Sequence, residues 1–129
     1  MDLGMLSEYL NGFSKKPAII FLAGPISPRG ISEDDYWKNI RRMIRFKNEI
    51  EESYNAVVIC PADDVLGYLV CSELASEASF KIRNMHKITA CDIVVALPGW
   101  WLSQGARDEI LWGRQLGKKI IEVKDEEIN

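Results

Sequence analysis

CDIVVALPGWWLSQGARDEILWGRQLGKKIIEV, residues 91–123, sets two short apolar runs on either side of a helical repeat. DIVVALP (92–98) is almost continuously apolar, as expected of a strand buried on both faces, and KKIIEV (118–123) reads as a shorter one. Between them Ala106, Ile110, Gly113 and Leu116 recur at helical spacing. The segment therefore predicts strand, helix, strand, the repeating unit of a parallel sheet. At about 100° per residue Glu109 falls inside the same apolar arc, on the side that should pack against the sheet, while Asp108 points away from it. A carboxylate aimed inward at that place needs a chemical reason.

The pattern extends toward the N-terminus. AIIFLA (18–23) and AVVIC (56–60) are two further continuous apolar runs. From 34 to about 52, Tyr36, Ile40, Met43, Lys47 and Ile50, with Trp37 and Ile44 beside them, form one mostly apolar helical face that Ser32 or Asp34 can cap. From roughly 76 to 89, Ala78, Ile82, Met85 and Thr89 repeat at helical spacing. The order β-α-β-α-β-α-β predicts an α/β fold, a flavodoxin-like or Rossmann-like three-layer sandwich with four to five parallel strands and right-handed crossovers. A helix through Leu3, Leu6 and Leu10 is expected as an N-terminal extension over 1–16, ahead of a single domain over 17–129. The charged tail KDEEIN (124–129) is expected to fray.

Composition narrows the function classes. At 129 residues, 47% apolar and 27% charged, the chain suits one soluble domain with one core. A formal charge of -3 without a basic run beyond the scattered Arg41, Arg42, Arg45 and Lys47 argues against a nucleic-acid or membrane surface and for a small-molecule partner. No apolar run approaches the roughly 18 to 20 residues of a membrane span, and MDLGMLSEYLNGF lacks the basic and apolar regions of a signal peptide, so a cytoplasmic protein is expected. The cysteines, Cys60, Cys71 and Cys91, are odd in number and form no C-x-x-C pair, which points to reduced thiols. With a single histidine, His86, and no cysteine cluster, neither a metal site nor a histidine-based triad is expected. Asp92, at the start of its strand, suits a structural cap.

In parallel sheets ligands bind at the carboxyl ends of the strands. Three unusual segments fall there: AGPISPRGIS after the first strand, PADDVLGY after the second and PGWWLSQGA after the third. The first joins glycines and prolines to Ser27 and Arg29 just before a helix, where backbone N–H groups, a hydroxyl and a guanidinium could cradle a phosphate. It matches neither G-x-G-x-x-G nor a P-loop, which leaves a dinucleotide- or flavin-binding oxidoreductase without its fingerprint. A rigid βα turn explains the same residues. In the third segment Ser103 can cap the next helix and, through the same hydroxyl, meet a phosphate. Trp100 and Trp101 cannot both point inward, so one of them lines a ligand pocket or a subunit interface.

FLAGPIS (21–27) together with CDIVVALPGWWLSQGARDEILWGRQLGKKI (91–120) resembles the nucleoside 2-deoxyribosyltransferase-like superfamily, particularly its small bacterial and phage members and the 2′-deoxynucleoside 5′-phosphate N-hydrolases. The resemblance runs over about 18–123. Its most specific element is S-x-G-x-x-x-E followed by an apolar helix and G-K, met by Ser103, Gly105, Glu109, Gly117 and Lys118. It implies chemistry at a glycosidic bond: Glu109 attacks the anomeric carbon, the base leaves, and water or a second base takes the sugar, as in retaining glycosidases. It also implies substrate contacts from Gly24, Pro25, Ile26, Ser27 and Arg29, from Pro61 and Asp63, and from Gly99, Trp100, Ser103 and Gly105. Transferases acting on free nucleosides tend to carry an acid where Ser103 stands, whereas the nucleotide hydrolases carry a serine that meets a 5′-phosphate. Ser103 and the Ser27/Arg29 loop point to a nucleoside monophosphate, no cofactor is expected, and the resemblance implies a homodimer or larger homo-oligomer. One position departs from it. Four residues ahead of Ile88 the relatives carry an aspartate that helps handle the proton of the leaving base or orients the nucleophile. This chain has Asn84, whose amide cannot donate a carboxylic proton. Slower hydrolysis, altered base selectivity or a non-catalytic nucleotide sensor are the alternatives this opens, with Asp63 or Asp64 as substitutes for the missing acid.

Overall fold

The computed structural model describes residues 4–10, 17–26, 32–62 and 77–124. In chain order its elements are α1 (Gly4–Leu10), β1 (Ala18–Ala23), α2 (Glu33–Ser53), β2 (Ala56–Ile59), α3 (Glu77–Ala90), β3 (Ile93–Ala96), a 3-10 turn (Trp100–Leu102), α4 (Gln104–Gln115) and β4 (Lys119–Glu122). The four strands form one parallel sheet in the order β2-β1-β3-β4. Ile20 pairs with Val58 on one side and Ile93 on the other, and Val94 pairs with Ile120.

This order explains the two-sided burial of the apolar runs. The step from β1 to β2 moves one way across the sheet, whereas β2 to β3 and β3 to β4 move the other way. Right-handed crossovers then place α2 on one face and α3 and α4 on the opposite face. Side chains alternate accordingly. Ile20, Leu22, Ile93, Val95 and Ile121 pack with Ile40, Met43, Phe46 and Ile50 of α2 and with Leu6 and Leu10 of α1. Phe21, Ala23, Val94 and Ala96 pack with Ile88 of α3 and Ile110 of α4. All four β3 residues are buried, each large one contributing about 1.5–3 kcal/mol of transfer free energy.

Ser32 caps α2, its hydroxyl accepting from Asp35 N at 3.2 Å, and Glu33, Asp34 and Asp35 place negative charge in the first turn, where the helix dipole favours it. The buried stripe of α2 takes Phe46, with Lys47 only half-buried, because the aromatic ring completes the arc from Met43 to Ile50. The inner side of α3 also differs from the apolar repeat of its sequence. Asn84 and Ile88 are buried, while Ile82 is 56% exposed and Thr89 lies at the surface. The helix turns its amide inward because a polar partner waits there.

Gly113 sets how closely α4 approaches the sheet. A Cβ there would stand 2.9 Å from Val94 Cγ2 and 3.1 Å from Ile120 Cδ1, so no larger residue fits at this distance. Leu116, placed on the apolar arc by its spacing, sits just past the helix end and is 41% exposed. The backbone turns away at Gly117 before the arc reaches it.

Candidate active site

The third loop is built as a short continuation of the sheet. Leu97 N–H donates to Ala23 O at 2.8 Å and Val123 N–H to Ala96 O at 3.0 Å, carrying the ladder one residue past the strand ends. The chain then turns through Pro98 and Gly99 into the 3-10 turn. There Trp100 packs against the α3/α4-side core and donates its indole N–H to Glu122 Oε1 at 3.1 Å. Trp101 stands edge-on to it, centroids 6.1 Å apart, and is 53% exposed. Of the two indoles Trp100 is the anchored one and Trp101 the one facing water.

Ser103 then caps α4. Its hydroxyl accepts from Ala106 N at 3.3 Å, and Ser103 O accepts from Arg107 N at 3.0 Å. The cap occupies the acceptor side of the hydroxyl, whose proton is left to donate. The first loop meets the third here. A Cβ on Gly24 would meet Leu97 Cβ at 3.0 Å, and one on Gly99 would meet Pro25 Cγ at 3.5 Å. Ile26 packs on the α2-side core and its carbonyl accepts from Asn39 Nδ2 at 3.2 Å. Pro61 is buried just beyond β2. Ser27, Arg29, Asp63 and Asp64 lie outside the described residues.

Glu109 sits about one and a half turns into α4. Ala106, Ile110 and Gly113 take the sheet, while Glu109 turns toward α3 rather than onto the strands. Asn84 Nδ2 donates to its Oε2 at 3.0 Å. Asn84 is 2% exposed; Glu109 is half-buried. Removal from water pushes the Glu109 carboxyl up to about 8; the Asn84 hydrogen bond opposes this, the Asp108 charge adds to it, and the Lys87 charge opposes it. The free protein therefore holds a proton on Glu109 at neutral pH. Asp108, one residue away, points outward. Its carboxylate accepts from Gln104 Nε2 at 2.8 Å and from Lys81 Nζ at 3.1 Å, and these contacts, Gln104 foremost, lower it below its usual range. Adjacent carboxyls driven in opposite directions by their surroundings are a recurring mark of a catalytic site.

The structure thus groups the sequence-predicted residues in two places. Gly24, Pro25, Gly99, Trp100, Ser103 and Gly105 line the carboxyl edge of β1 and β3, and Glu109 with Asn84 lies below that edge between α3 and α4. A shallow recess bordered by Pro25, Asn39, Arg42, Met43, Leu97 and Pro98 opens on the α2 side of the same edge. It lies where the strand order reverses, the usual ligand crevice of such sheets, but its walls do not include Glu109. Two residues escaped the sequence reading. Glu122, which anchors Trp100, is visible only as an acid ending an apolar strand. Lys87, whose charge reaches Glu109, looks like one more surface lysine. Asp92 and His86 stand apart from the site. Asp92 Oδ2 accepts from Ile19 N at 2.8 Å, tying β3 to β1 at the opposite end of the sheet, and His86 is exposed. Lys118 of the G-K pair donates to Thr89 O at 2.9 Å and clamps α3 to the start of β4.

No curated protein matches the sequence. Among solved structures the chain is similar to a CMP N-glycosidase of Clostridium botulinum, at 23% identity and TM-score 0.47, over 86% of this chain and 74% of that one. It is also similar to a 2-deoxyribosyltransferase of Leishmania mexicana, at 21% identity and TM-score 0.48, over 82% of this chain and 63% of that one, just under two thirds of its length. A family model described as a domain of unknown function, DUF4406, matches residues 18–122, from the first residue of β1 to the last of β4. By that match, which spans the whole sheet and both halves of the site, the chain belongs to the DUF4406 family.

Proposed function

We propose that the protein cleaves the N-glycosidic bond of a nucleoside 5′-monophosphate with Glu109 as nucleophile. The observation that carries this is the Glu109–Asn84 pair: a desolvated carboxyl, held at 3.0 Å by a buried amide, below the strand edge where Ser103 opens α4. In the first step an ionised Glu109 oxygen bonds to the anomeric carbon. The carbon–nitrogen bond breaks, and the base leaves with the electron pair and takes up a proton. In the second step water attacks the same carbon, the glycosyl–Glu109 bond breaks, and sugar phosphate departs while the water gives up a proton. Ser103 O–H and the dipole of α4 favour an anion at the edge, which is where a 5′-phosphate would sit.

Asn84 favours one other reading. Since an amide cannot supply the proton the leaving base needs, the same pocket could hold a nucleotide without turning it over. Incubation with a panel of nucleosides and nucleoside monophosphates, following free base by chromatography, separates the two. Base release from monophosphates that disappears in Glu109→Gln supports the glycosidase; saturable binding without release supports the sensor; release only on adding a second base identifies a transferase.

A further inference from the structure

Asn84 uses only half of its amide. Nδ2 donates to Glu109, but the buried Oδ1 has no hydrogen-bond partner. Buried amides rarely leave an end unused. The direction of the amide follows from the reaction itself. An ionised Glu109 offers only acceptors, so it takes the NH2 group, and Oδ1 faces away from it. In the reactive state the site therefore holds a buried, unmet acceptor on the same amide that bonds the nucleophilic carboxylate. A second buried polar atom, on α4, is also unpaired. Trp112 Nε1, one turn further along α4, donates to nothing and does not bond Asn84 Oδ1. The helix pair thus holds an unmet acceptor on α3 and an unmet donor on α4, and a hydroxyl is the group able to meet either.

We propose that Asn84 Oδ1 accepts a hydrogen bond from the sugar 2′-hydroxyl of the substrate, so that the site selects ribonucleotides over 2′-deoxyribonucleotides. The proposal rests on the N-glycosidase reading above. The 2′-hydroxyl is carried by the carbon next to the one attacked, so it stays beside Glu109 through both steps. An amino group of the base departs with the base and cannot satisfy Oδ1 in the intermediate. A deoxyribose leaves the acceptor unpaired, and a site built around a substrate hydroxyl rejects the analogue that lacks it.

The test compares the four common ribonucleoside 5′-monophosphates with their 2′-deoxy counterparts, as kcat/KM for base release and as binding to Glu109→Gln by calorimetry. The wild type should prefer the ribonucleotide by at least about tenfold, the usual effect of leaving a buried acceptor unmet. Asn84→Leu, which keeps the volume and removes the acceptor, should bring that ratio to within about twofold of one. Asn84→Asp, which retains an oxygen there, should keep a preference for ribose. A wild-type preference for deoxyribose, equal use of both sugars, or an unchanged ratio in Asn84→Leu overturns the proposal. A preference that follows the amino group of the base, whatever the sugar, overturns it as well. Release of no base from any compound defeats the glycosidase reading, and the binding arm then decides the sugar by itself: tighter ribonucleotide binding upholds the contact, equal binding refutes it.

Discussion

Replacing Glu109 with glutamine should stabilise the protein by an amount that grows with pH. In the folded chain the Glu109 carboxyl is pushed from 4.5 up to about 8, chiefly by desolvation. Between these values the folded state holds a proton that the unfolded chain has released, so stability falls as pH rises through that window. At about 1.4 kcal/mol per pH unit, the gap between 4.5 and about 8 sets a ceiling of roughly 5 kcal/mol above pH 8 and about 3 kcal/mol at pH 7. Glu109 retains some contact with solvent, which lowers the cost, so about 1–3 kcal/mol at pH 7 is the expected difference. Glu109→Gln keeps the shape and an oxygen able to accept from Asn84 while removing the titration. Thermal unfolding of both proteins from pH 4 to 9 should show melting temperatures that agree at pH 4 and diverge in favour of the variant by about 4–12 °C at pH 7. Every other titrating group is shared, so it cancels in the difference. A difference that stays flat with pH, or a variant less stable than the parent at pH 8, would refute the account of Glu109 as a desolvated carboxyl.

The same titration governs catalysis. Because the attacking form is the carboxylate, kcat/KM should climb with pH and level off above about 8, and a fall across that range would make Glu109 an acid instead. Ser103→Asp should preserve the cap, since aspartate serves there as well as serine, and leave melting unchanged, yet weaken nucleoside monophosphate binding about tenfold through charge repulsion. Equal loss for free nucleosides would move the phosphate elsewhere. Gly113→Ala should cost about 1–2 kcal/mol in urea unfolding, because overpacking against Val94 and Ile120 outweighs the roughly 1 kcal/mol helix gain. A stabilised variant would show that α4 can lift off the sheet freely. Asp108→Asn should change stability by less than about 0.5 kcal/mol, since its bridge to Lys81 is largely in solvent, and should leave base release intact. Loss of activity there would mean that the reactive carboxyl had been assigned to the wrong neighbour.

The elements and their order were legible in the sequence by itself. Apolar runs such as IVVA and AIIFLA, short and rich in β-branched residues, read as strands covered on both sides, and the spacing of Ile40, Met43 and Ile50 reads as a helix with one inward face. Such patterns come from the backbone geometry of each segment, helical turn or extended strand, which the local sequence largely controls. The Ser32 and Ser103 caps belong to the same class, because a cap bonds its own helix. That Glu109 breaks an apolar arc was equally visible. What it touches was not legible in the residues' own pattern; only the family resemblance set position 84 beside the nucleophile. The sequence placed it against the sheet, whereas the packing of α3 beside α4 turns it onto Asn84, 25 residues away along the chain. That pairing, the raised proton affinity it accompanies, and the rotation of α3 that buries Asn84 instead of Ile82 all arise from two helices meeting on one face of the sheet. The tie between Trp100 and Glu122 likewise joins the ends of two strands. Contacts between elements depend on crossover geometry and on competition for a shared interior, and no segment carries that information alone.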